Sequence, residues 1–484
     1  MDALPDELLL LILGRVADGR VLLYAVPLVC KRWRRLSRDP RVWRRVEVSL
    51  GGCDHGPEGD DDEDTHGDLL EAARVLLHAP LLRSISFDWI DYCNGPWSCD
   101  FEKRVTVSAL KRCKASVSEF HFPEPDYDTG SGIGRINDPL ESFDESDRAL
   151  VLGFILKHRN EVRVLTLGRL LLVNSWPWGG PLRNLPCAAL AKLKRLEQLT
   201  LHVDSDICYG GELASGLPAL RRLTVHPLWM SSDVNTSPAG MTGLLNDLLR
   251  GSAASLRHLR FVDDSVPKDV LRTVRVCAEL QSLACRVQDL PLVGELPCLL
   301  SLDVNVSSGD SGHPNAAASL PALARYLETN KSALPRLRSV DIDSSIYFNY
   351  DKDWLAAHQT RLVRVFKSLG VFCSGAVKLK LTVDEKFPEV VEAFVGAMSR
   401  LELADLHSVP VALFPAVANL KHLRKLSGTV TYPEGEFQKC KTAVEEFKAK
   451  RPDVKLKLEA WTGQDIVESG QNWSSYSKEM FLFE

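Results

Sequence analysis

A glycine-rich segment at residues 130–134, Gly-Ser-Gly-Ile-Gly, has the composition of a loop that binds phosphate through backbone N–H groups. A nucleotide-binding loop of that kind carries a lysine and follows a strand. This segment has no such lysine, and residues 125–129 before it do not have a strand pattern. The sequence therefore does not predict a nucleotide site.

An acidic segment lies between Glu58 and Asp64, where six of the seven residues carry a carboxylate. Carboxylates bind Ca²⁺ and Mg²⁺, but the segment lacks the glycine and the terminal glutamate of a calcium-binding loop. Mutual repulsion among the charges favours an extended, solvated chain. We expect an acidic linker loop over residues 48–68 and no metal site.

The cysteines and histidines do not form a recognisable reactive group either. Cys93 and Cys99 have no second pair, and His55 and His66 do not have the spacing of zinc ligands. The sequence contains neither a Gly-x-Ser-x-Gly nucleophile turn nor a His-Glu-x-x-His metal helix. We predict a chain with no catalytic residues and no cofactor, and keep an enzyme as the third of three hypotheses.

Composition and charge argue against several broad classes of protein. The chain has 484 residues, a formal net charge of −5 and a pI near 6.2. This length predicts several domains or an elongated repeat array, and the charge does not predict a nucleic-acid partner. No apolar run has the length of about 18 residues that a membrane span needs. Scattered cysteines and an N-terminus unlike a secretory signal predict a cytoplasmic or nuclear protein.

Residues 4–46 predict a small helical module. Pro5 suits the first position of a helix, and Asp6 and Glu7 favour the positive end of its dipole. A second helix is expected from about Arg20 into Ala25, and a third over residues 28–36. About 40 residues cannot bury this much apolar surface alone, so the module packs on the chain or offers an apolar face to a partner.

The order and spacing of the residues in this module closely resemble the F-box. The matching segments are Leu4-Pro5-Asp6-Glu7-Leu8, Ile12-Leu13 with Val16, Val29-Cys30-Lys31-Arg32-Trp33, Asp39-Pro40 and Trp43. In that family the segment folds as a three-helix hook over residues equivalent to 1–47 here. The hook docks on the adaptor Skp1, which links it to a cullin scaffold. The resemblance implies that a set of side chains lies at or beneath the adaptor interface: Leu4, Pro5, Leu8, Ile12, Val29, Cys30 and Trp33.

A second pattern recurs from residue 69 onward. Each copy has a leucine, two variable residues, another leucine, one variable residue and an apolar residue. Clear copies begin at Leu82, Val162, Leu196, Leu220, Leu256, Leu299 and Leu337, and weaker copies begin at Val117, Leu280, Val377, Leu401 and Leu423. The spacing of about 20 to 45 residues lies within or just above the leucine-rich-repeat range. The alternation of apolar and polar residues predicts a short strand with one buried side.

Helical segments lie between these strand patterns, at residues 68–77, 148–157, 243–250, 320–329, 355–369, 390–399 and 436–450. Because no single strand buries its apolar side, stacked copies should form one parallel sheet. This part resembles the leucine-rich repeats that commonly follow an F-box, although the asparagine or cysteine that usually ends the motif is mostly absent. The predicted fold is α/β: a three-helix F-box followed by an irregular leucine-rich-repeat solenoid, with parallel strands on the concave face and helices on the convex face. A less regular alternation of helices and strands is the alternative.

The predicted repeat array spans residues 69–461 and is followed by a tail at 462–484. Four inserts rich in aromatic residues interrupt it, at 88–104, 123–147, 170–186 and 343–354. Their aromatic side chains could anchor a partner or cover the core. The tail either folds back on the array or is mobile.

These features favour a protein with two binding regions. The leading hypothesis is the substrate-recognition subunit of a Skp1–cullin–F-box ubiquitin ligase, in which the hook binds the adaptor and the repeats bind an unknown protein substrate. The alternative is a non-degradative interaction scaffold built on the repeats. Basic residues at outward strand positions could meet an acidic or phosphorylated partner or could simply be solvated. These residues are Arg83, Arg163, Arg221, Arg222, Arg257 and Arg338.

Overall fold

The chain was examined as a computed structural model, in which it forms two compact units, Met1–Leu256 and Arg257–Glu484. The structure describes residues 4–50, 64–87, 98–122, 145–167, 185–204, 207, 209–228, 239–262, 266–305, 315–331, 333–343, 352–382, 388–433, 437–463 and 481–483. Within these ranges, no helix has both the length and the apolar character that crossing a membrane requires. The glycine-rich segment, most of the acidic segment and the aromatic residues in the middle of each predicted insert lie outside these ranges.

The first unit begins with the predicted helical module, hereafter the hook (residues 4–46). Its elements are α1 (Asp6–Leu13), a π-helical turn (Val21–Ala25) that continues into α2 (Val26–Val29), α3 (Lys31–Leu36) and a 3₁₀ turn (Val42–Arg45).

Two local predictions in the hook were wrong. Pro5 caps α1 from outside instead of occupying its first helical position. The predicted third helix over 28–36 is broken at Cys30, whose extended backbone (φ −165°, ψ 171°) separates α2 from α3. Pro27 explains the shift, because it lacks an N–H group and fits the first turn of a short new helix after a widened π-helical turn.

The rest of the first unit alternates strands and helices. Its strands are β1 (Glu47–Ser49), β2 (Leu81–Ser86), β3 (Ser116–Phe122), β4 (Val164–Leu167), β5 (Gln198–Asp204) and β6 (Arg222–Leu228). Its helices are α4 (Asp64–His78), α5 (Ser98–Arg112), α6 (Glu145–Lys157), α7 (Leu185–Leu190) and α8 (Ala239–Gly251). Consecutive strands pair in parallel, in chain order.

The second unit continues the alternation. Its strands are β7 (His258–Phe261), β8 (Ser282–Arg286), β9 (Ser301–Asn305), β10 (Ser339–Asp343), β11 (Lys378–Thr382), β12 (Leu403–Pro410), β13 (Lys425–Pro433), β14 (Lys455–Gly463) and β15 (Phe481–Phe483). Its helices are α9 (Lys268–Thr273), α10 (Leu290–Val293), α11 (Asn315–Thr329), α12 (Lys352–Phe372), α13 (Pro388–Gly396), α14 (Phe414–Ala418) and α15 (Phe437–Lys450). Strands β7–β14 pair in parallel in chain order, and β15 runs antiparallel to β14.

The predicted α/β fold is confirmed: a helical N-terminal module is followed by parallel-strand repeats, and each predicted repeat pattern contains a strand. In the second unit, the first buried residues of the strands pair with one another in one apolar row: Leu283, Leu302, Val340, Leu379, Ala404, Leu426 and Leu456. Neighbouring strands therefore bury together the side chains that none of them buries alone.

Several predicted boundaries need correction. Strand β1 (Glu47–Ser49) extends into the predicted linker 48–68 and pairs with β2, and α4 starts four residues before that linker's predicted end. Helix α5 begins within the predicted insert 88–104. In the predicted tail 462–484, β15 pairs with β14, so this part of the tail folds back on the array. Strand pairing and helix formation set these boundaries. The amino-acid composition of the segments does not indicate where they lie.

Many repeats are attached to the one before by a shared carbonyl. The carbonyl of Arg338 accepts the backbone N–H groups of Val377 and Lys378, at 2.9 Å each. The same double acceptance occurs at Arg257, Gln281, Leu300, Val377 and Glu402. One acceptor that holds two successive donors leaves little freedom for a strand to slip by one residue, so it maintains the register of the apolar row.

A close packing contact holds the hook against the first repeat. Gly19 is buried, and a Cβ atom at this position would lie 2.6 Å from Cγ1 of Val75 on α4 and 3.0 Å from Cγ1 of Val46. Beside it, Arg20 forms ion pairs with Asp68 at 3.0 Å and with Glu71 on α4 at 3.2 Å. Since glycine alone allows this approach, the contact positions the hook relative to the strands of the first unit.

We predict opposite effects for the same substitution at two glycines of the first unit. Gly19→Ala should lower the free energy of unfolding by about 1–2 kcal/mol, because the methyl group overpacks a stiff, buried valine. Gly153→Ala on α6 should raise it by up to about 1 kcal/mol, because nothing lies within 4 Å and alanine favours the helix. Chemical denaturation of both variants checks this. Equal effects at the two positions would contradict the close packing.

Candidate functional site

The hook has its own small core, which gives its helices fixed positions. Leu9 and Leu13 of α1 are almost fully buried, together with Leu36 of α3. The indole of Trp43 is buried too, and its Nε1–H donates to the carbonyl of Ser37 at 2.6 Å. Because this indole N–H is satisfied inside the hook, Trp43 stabilises the fold and is not available to a partner.

Helix α1 is apolar on two sides. While Leu9 and Leu13 face the core, Leu8, Leu11 and Ile12 are exposed, and Leu11 has 68% of its surface in contact with solvent. Positions 8, 11 and 12 follow the i, i+3, i+4 spacing of one helix face. A helix that is apolar on both sides is normally covered on both, so the outward side of α1 needs a partner.

The following helical segment has the same property. Leu28 and Val29 of α2 are 79% and 61% exposed, and Val21 and Tyr24 of the π-helical turn are also exposed. We call these seven side chains the hook apolar set: Leu8, Leu11, Ile12, Val21, Tyr24, Leu28 and Val29. They are seven of the ten exposed large apolar side chains among the described residues. Such concentration of exposed apolar surface is typical of a protein interface.

The structure describes every side chain that the F-box resemblance singled out. Four of them are exposed: Pro5, Leu8, Ile12 and Val29. Leu4, Cys30 and Trp33 are half-buried, and the Cys30 Sγ accepts the Trp33 backbone N–H at 3.5 Å. Their role in binding an adaptor stays a prediction.

The sequence analysis missed the two most exposed members of the set, Leu11 and Leu28. Leu11 has the helical spacing of Leu8 and Ile12, so periodicity alone could have included it. Because α1 is apolar at almost every position, its sequence does not distinguish the buried face of the helix from the exposed one. Leu28 was missed because the break at Cys30, which ends its helix, was not expected.

An ion-pair cluster fixes the start of α1 on α3. Asp6 accepts a hydrogen bond from Nε of Arg32 at 2.7 Å and forms a second ion pair with Nη2 of Arg35 at 2.5 Å. Arg32 also donates to the backbone carbonyl of Leu4. The hydrogen bond from Arg32, reinforced by the charge of Arg35, holds the pKa of the Asp6 carboxyl below its ordinary value. The cluster brings Leu4 and Pro5 beside α3.

The described part of the chain does not show a reactive centre. Burial raises the pKa of the Cys187 thiol to about 12 and that of Cys277 to about 11, so both are protonated at neutral pH. Cys373 is raised to about 12 for the same reason. Within these residues, no three His, Cys, Asp or Glu side chains come together in a way that could hold a metal ion.

Three of the six outward arginines proposed from the sequence to meet an acidic partner are paired inside the protein. Arg83 forms ion pairs with Glu47 at 3.1 Å and with Glu119 at 3.2 Å, on the two neighbouring strands. Arg163 forms an ion pair with Glu197 at 3.1 Å, and Arg257 lies 3.7 Å from Glu279. Cross-strand acids thus neutralise these cations, which the linear sequence could not show. Arg221, Arg222 and Arg338 are exposed.

The pairing of Asp6 predicts a pH dependence of hook stability. Since its pKa is lower in the folded hook than in the unfolded chain, its contribution is complete above the unfolded pKa of about 3.9. It is lost as the pH falls through the lower, folded pKa. Wild type should therefore be more stable than Asp6→Asn at pH 5 and 7, and the difference should shrink towards pH 2. Denaturation of both proteins across this range measures it.

Glu7→Gln is the matched control for this prediction. Glu7 is the neighbouring exposed acid in the first turn of α1; its charge acts on Arg41, but no ion pair within 4 Å joins it to another described residue. Its substitution should change stability less than Asp6→Asn at neutral pH. If the two variants behaved alike, the ion pairs with Arg32 and Arg35 would have no specific role, and only the helix dipole would act on these acids.

Comparisons with known proteins add the following. A family model described as F-box-like matches residues 1–49, which contain the hook and β1. Comparison with curated proteins returns no match. Among solved structures, the chain is similar to the crystal structure of the TLR13–ssRNA13 complex, at 12% identity and a TM-score of 0.24, over 63% of this chain and 40% of that one. A TM-score this low does not support a shared fold. The repeat architecture is therefore inferred from the strand register and burial of this chain alone. The N-terminal segment is an F-box-like domain, and parallel-strand repeats follow it.

Proposed function

We propose that this protein is the substrate-recognition subunit of a Skp1–cullin–F-box ubiquitin ligase. The hook would bind a Skp1-like adaptor, which connects it to a cullin, and the repeats would bind a protein substrate. The F-box-like match over residues 1–49 supports the kind of partner. The repeats support a binding role, because stacked strands display a long row of outward side chains on a rigid support.

The observation that carries this proposal is the hook apolar set. Seven large apolar side chains lie exposed on a segment whose core is already complete without them. Covering one such side chain fully is worth about 1.5–3 kcal/mol, so a partner that covers the set gains a large apolar contribution to binding. The position of the set on the F-box-like segment supports an adaptor as the partner of this surface.

The way the hook is held supports recruitment as the mechanism. Gly19 and the ion pairs of Arg20 fix the hook against α4, and β1 continues directly from the hook into the sheet. A substrate bound to the first unit would therefore be held at a defined distance from the adaptor. Such a subunit increases the effective concentration of substrate near the site of ubiquitin transfer and needs no reactive group of its own.

The same structure is compatible with a non-degradative interaction scaffold, in which the bound protein is assembled but not turned over. In either role we propose the cytoplasm or the nucleus as the location. The eight cysteines whose side chains the structure describes are free thiols, which supports a reducing compartment.

We predict that charges placed in the hook apolar set abolish adaptor binding. The double variant Leu11→Asp, Leu28→Asp should weaken binding to a Skp1-like adaptor at least about 30-fold, because two carboxylates would be buried in an apolar contact. Both side chains are mostly exposed in the isolated chain, so the fold should be retained. Calorimetric titration measures the affinity, and circular dichroism verifies the fold.

The matched control places the same charges on the repeats. Val276 and Leu300 are exposed large apolar residues of the second unit, at 44% and 37%. The variant Val276→Asp, Leu300→Asp should bind the adaptor like wild type. The adaptor assignment would be refuted if both double variants bound equally well, or if wild type did not bind.

The lifetime of a captured partner in cells separates ligase from scaffold. With Leu11→Asp, Leu28→Asp, a partner of the ligase subunit should persist longer than with wild type, because it is still bound by the repeats but no longer brought to the cullin. A pulse-chase measurement of the partner's lifetime distinguishes the two roles. An unchanged lifetime would favour the scaffold.

A further inference from the structure

Four lysines stand out on the outward side of the last parallel strands of the second unit. Lys378 on β11, Lys425 on β13 and both Lys455 and Lys457 on β14 are exposed, and they alternate with buried apolar residues along their strands. We call them the lysine row.

The strand register brings these lysines close together. Lys378 is opposite Leu403 of β12, Leu403 is opposite Lys425, and Lys425 is directly opposite Lys455. With neighbouring strands about 4.8 Å apart, the row from β11 to β14 is about 14 Å long. This distance matches four or five residues of an extended peptide.

The lysine row lacks acidic partners among the described residues. The neighbouring cations are paired: Lys380 lies 3.2 Å from Asp341, and Arg424 lies 3.8 Å from Glu402. Asp405, the nearest outward acid on β12, accepts a hydrogen bond from Ser427 at 3.1 Å. No ion pair within 4 Å reaches the four lysines of the row in the described part of the chain.

The arrangement is unfavourable for folding by itself. Like charges directly opposite each other on paired strands are destabilising, and Lys425 and Lys455 are such a pair. Lysines on an unpaired strand edge can protect it against aggregation, which would account for Lys455 and Lys457 at the start of β14, ahead of residues 458–460 that pair with β15. That explanation does not apply to Lys378 and Lys425, which lie on interior strands with a partner on each side.

We propose that the lysine row is a docking surface for an extended acidic peptide segment of a protein partner, with aspartate or glutamate side chains that pair with these lysines. The proposal rests on the proposed function, because it names the chemical class of substrate that the repeats recognise. A partner's carboxylates relieve the repulsion between Lys425 and Lys455 and place new ion pairs along the row.

The residue types favour a peptide with carboxylates over other anions. All four cations are lysines, which act as point charges, whereas repeated recognition of phosphate groups favours the bidentate geometry of arginine. Single-stranded nucleic acid is usually held by stacking on aromatic side chains. The described outward positions of β11 and β14 next to these lysines are Lys380, Thr382 and Glu459, none of them aromatic. On β12 between them, the one described outward aromatic ring is the imidazole of His407, which lies 3.7 Å from Asp405.

A peptide titration with the full-length chain tests the proposal. The probes are fluorescein-labelled 12-residue peptides of alternating Glu-Ser and alternating Gln-Ser, compared by fluorescence anisotropy at low ionic strength. The Glu-Ser peptide should bind at least about tenfold more tightly than the Gln-Ser peptide. The double variant Lys425→Glu, Lys455→Glu should lose at least about tenfold in affinity for Glu-Ser. Equal binding of the two peptides to wild type would overturn the proposal.

The control variant makes the same change of charge elsewhere in the second unit. Lys367 on α12 and Lys421 before β13 are exposed and outside the row, so Lys367→Glu, Lys421→Glu should keep the Glu-Ser affinity within about twofold. If both double variants lost affinity equally, only net charge would matter and the row would not be a site. Displacement of the peptide by a 12-residue oligouridine at a lower concentration than by unlabelled Glu-Ser would also overturn the proposal, in favour of nucleic acid.

The single variant Lys455→Glu separates folding from binding. It replaces a repulsive pair with an attractive one opposite Lys425, so the midpoint of thermal unfolding should rise while the affinity for Glu-Ser falls. A fall in both would mean that Lys455 is structural and would refute its role in docking.

Adaptor binding, measured on the same proteins, distinguishes this inference from the proposed function. All lysine variants should bind a Skp1-like adaptor like wild type, because the hook is unchanged. A wild-type chain that binds the Glu-Ser peptide but not the adaptor would refute the ligase assignment and leave the lysine row standing.

Discussion

A strand of four to nine residues cannot bury its apolar side chains by itself, and the structure depends on how neighbouring repeats meet this need. Parallel pairing in chain order places the buried leucine of one repeat against that of the next. At many strands, the carbonyl of the residue before the strand accepts two N–H groups of the following repeat and maintains the register. A one-residue slip would turn every leucine outward and every polar residue inward. Apolar burial and backbone hydrogen bonding therefore support the same arrangement.

This register has a consequence for the surface. Because the inward positions are committed to the core, the outward positions are free to vary, and they differ between the two units. In the first unit, Arg83 lies between Glu47 and Glu119 of the neighbouring strands, and Arg163 pairs with Glu197. In the second, the lysine row lacks such partners in the described residues. We therefore expect a charged partner to bind where outward charges have no cross-strand partner of opposite sign.

The hook differs from the repeats because it leaves large apolar side chains exposed. Its core is complete with α1–α3 and Trp43, yet seven apolar side chains remain outside it. Two interactions of different kinds fix its structure. The contact of Gly19 with Val75 positions the hook on α4, and the pairing of Asp6 with Arg32 and Arg35 joins α1 to α3 within the hook. Neither covers the exposed side chains. A module that is firmly held but incompletely covered is suited to bind a rigid partner without rearranging.

What the sequence alone determined was local: the repeated leucine pattern predicted twelve of the strands, and the order of residues 4–43 predicted an F-box-like hook. These signals survive without tertiary information because strand alternation and helix-capping residues act over a few positions. The exposure of Leu11 and Leu28, the pairing of the arginines and the opposition of Lys425 and Lys455 were decided by tertiary structure alone. Each of these features depends on which residues become neighbours across strands or helices. Separation along the chain does not indicate which residues these are.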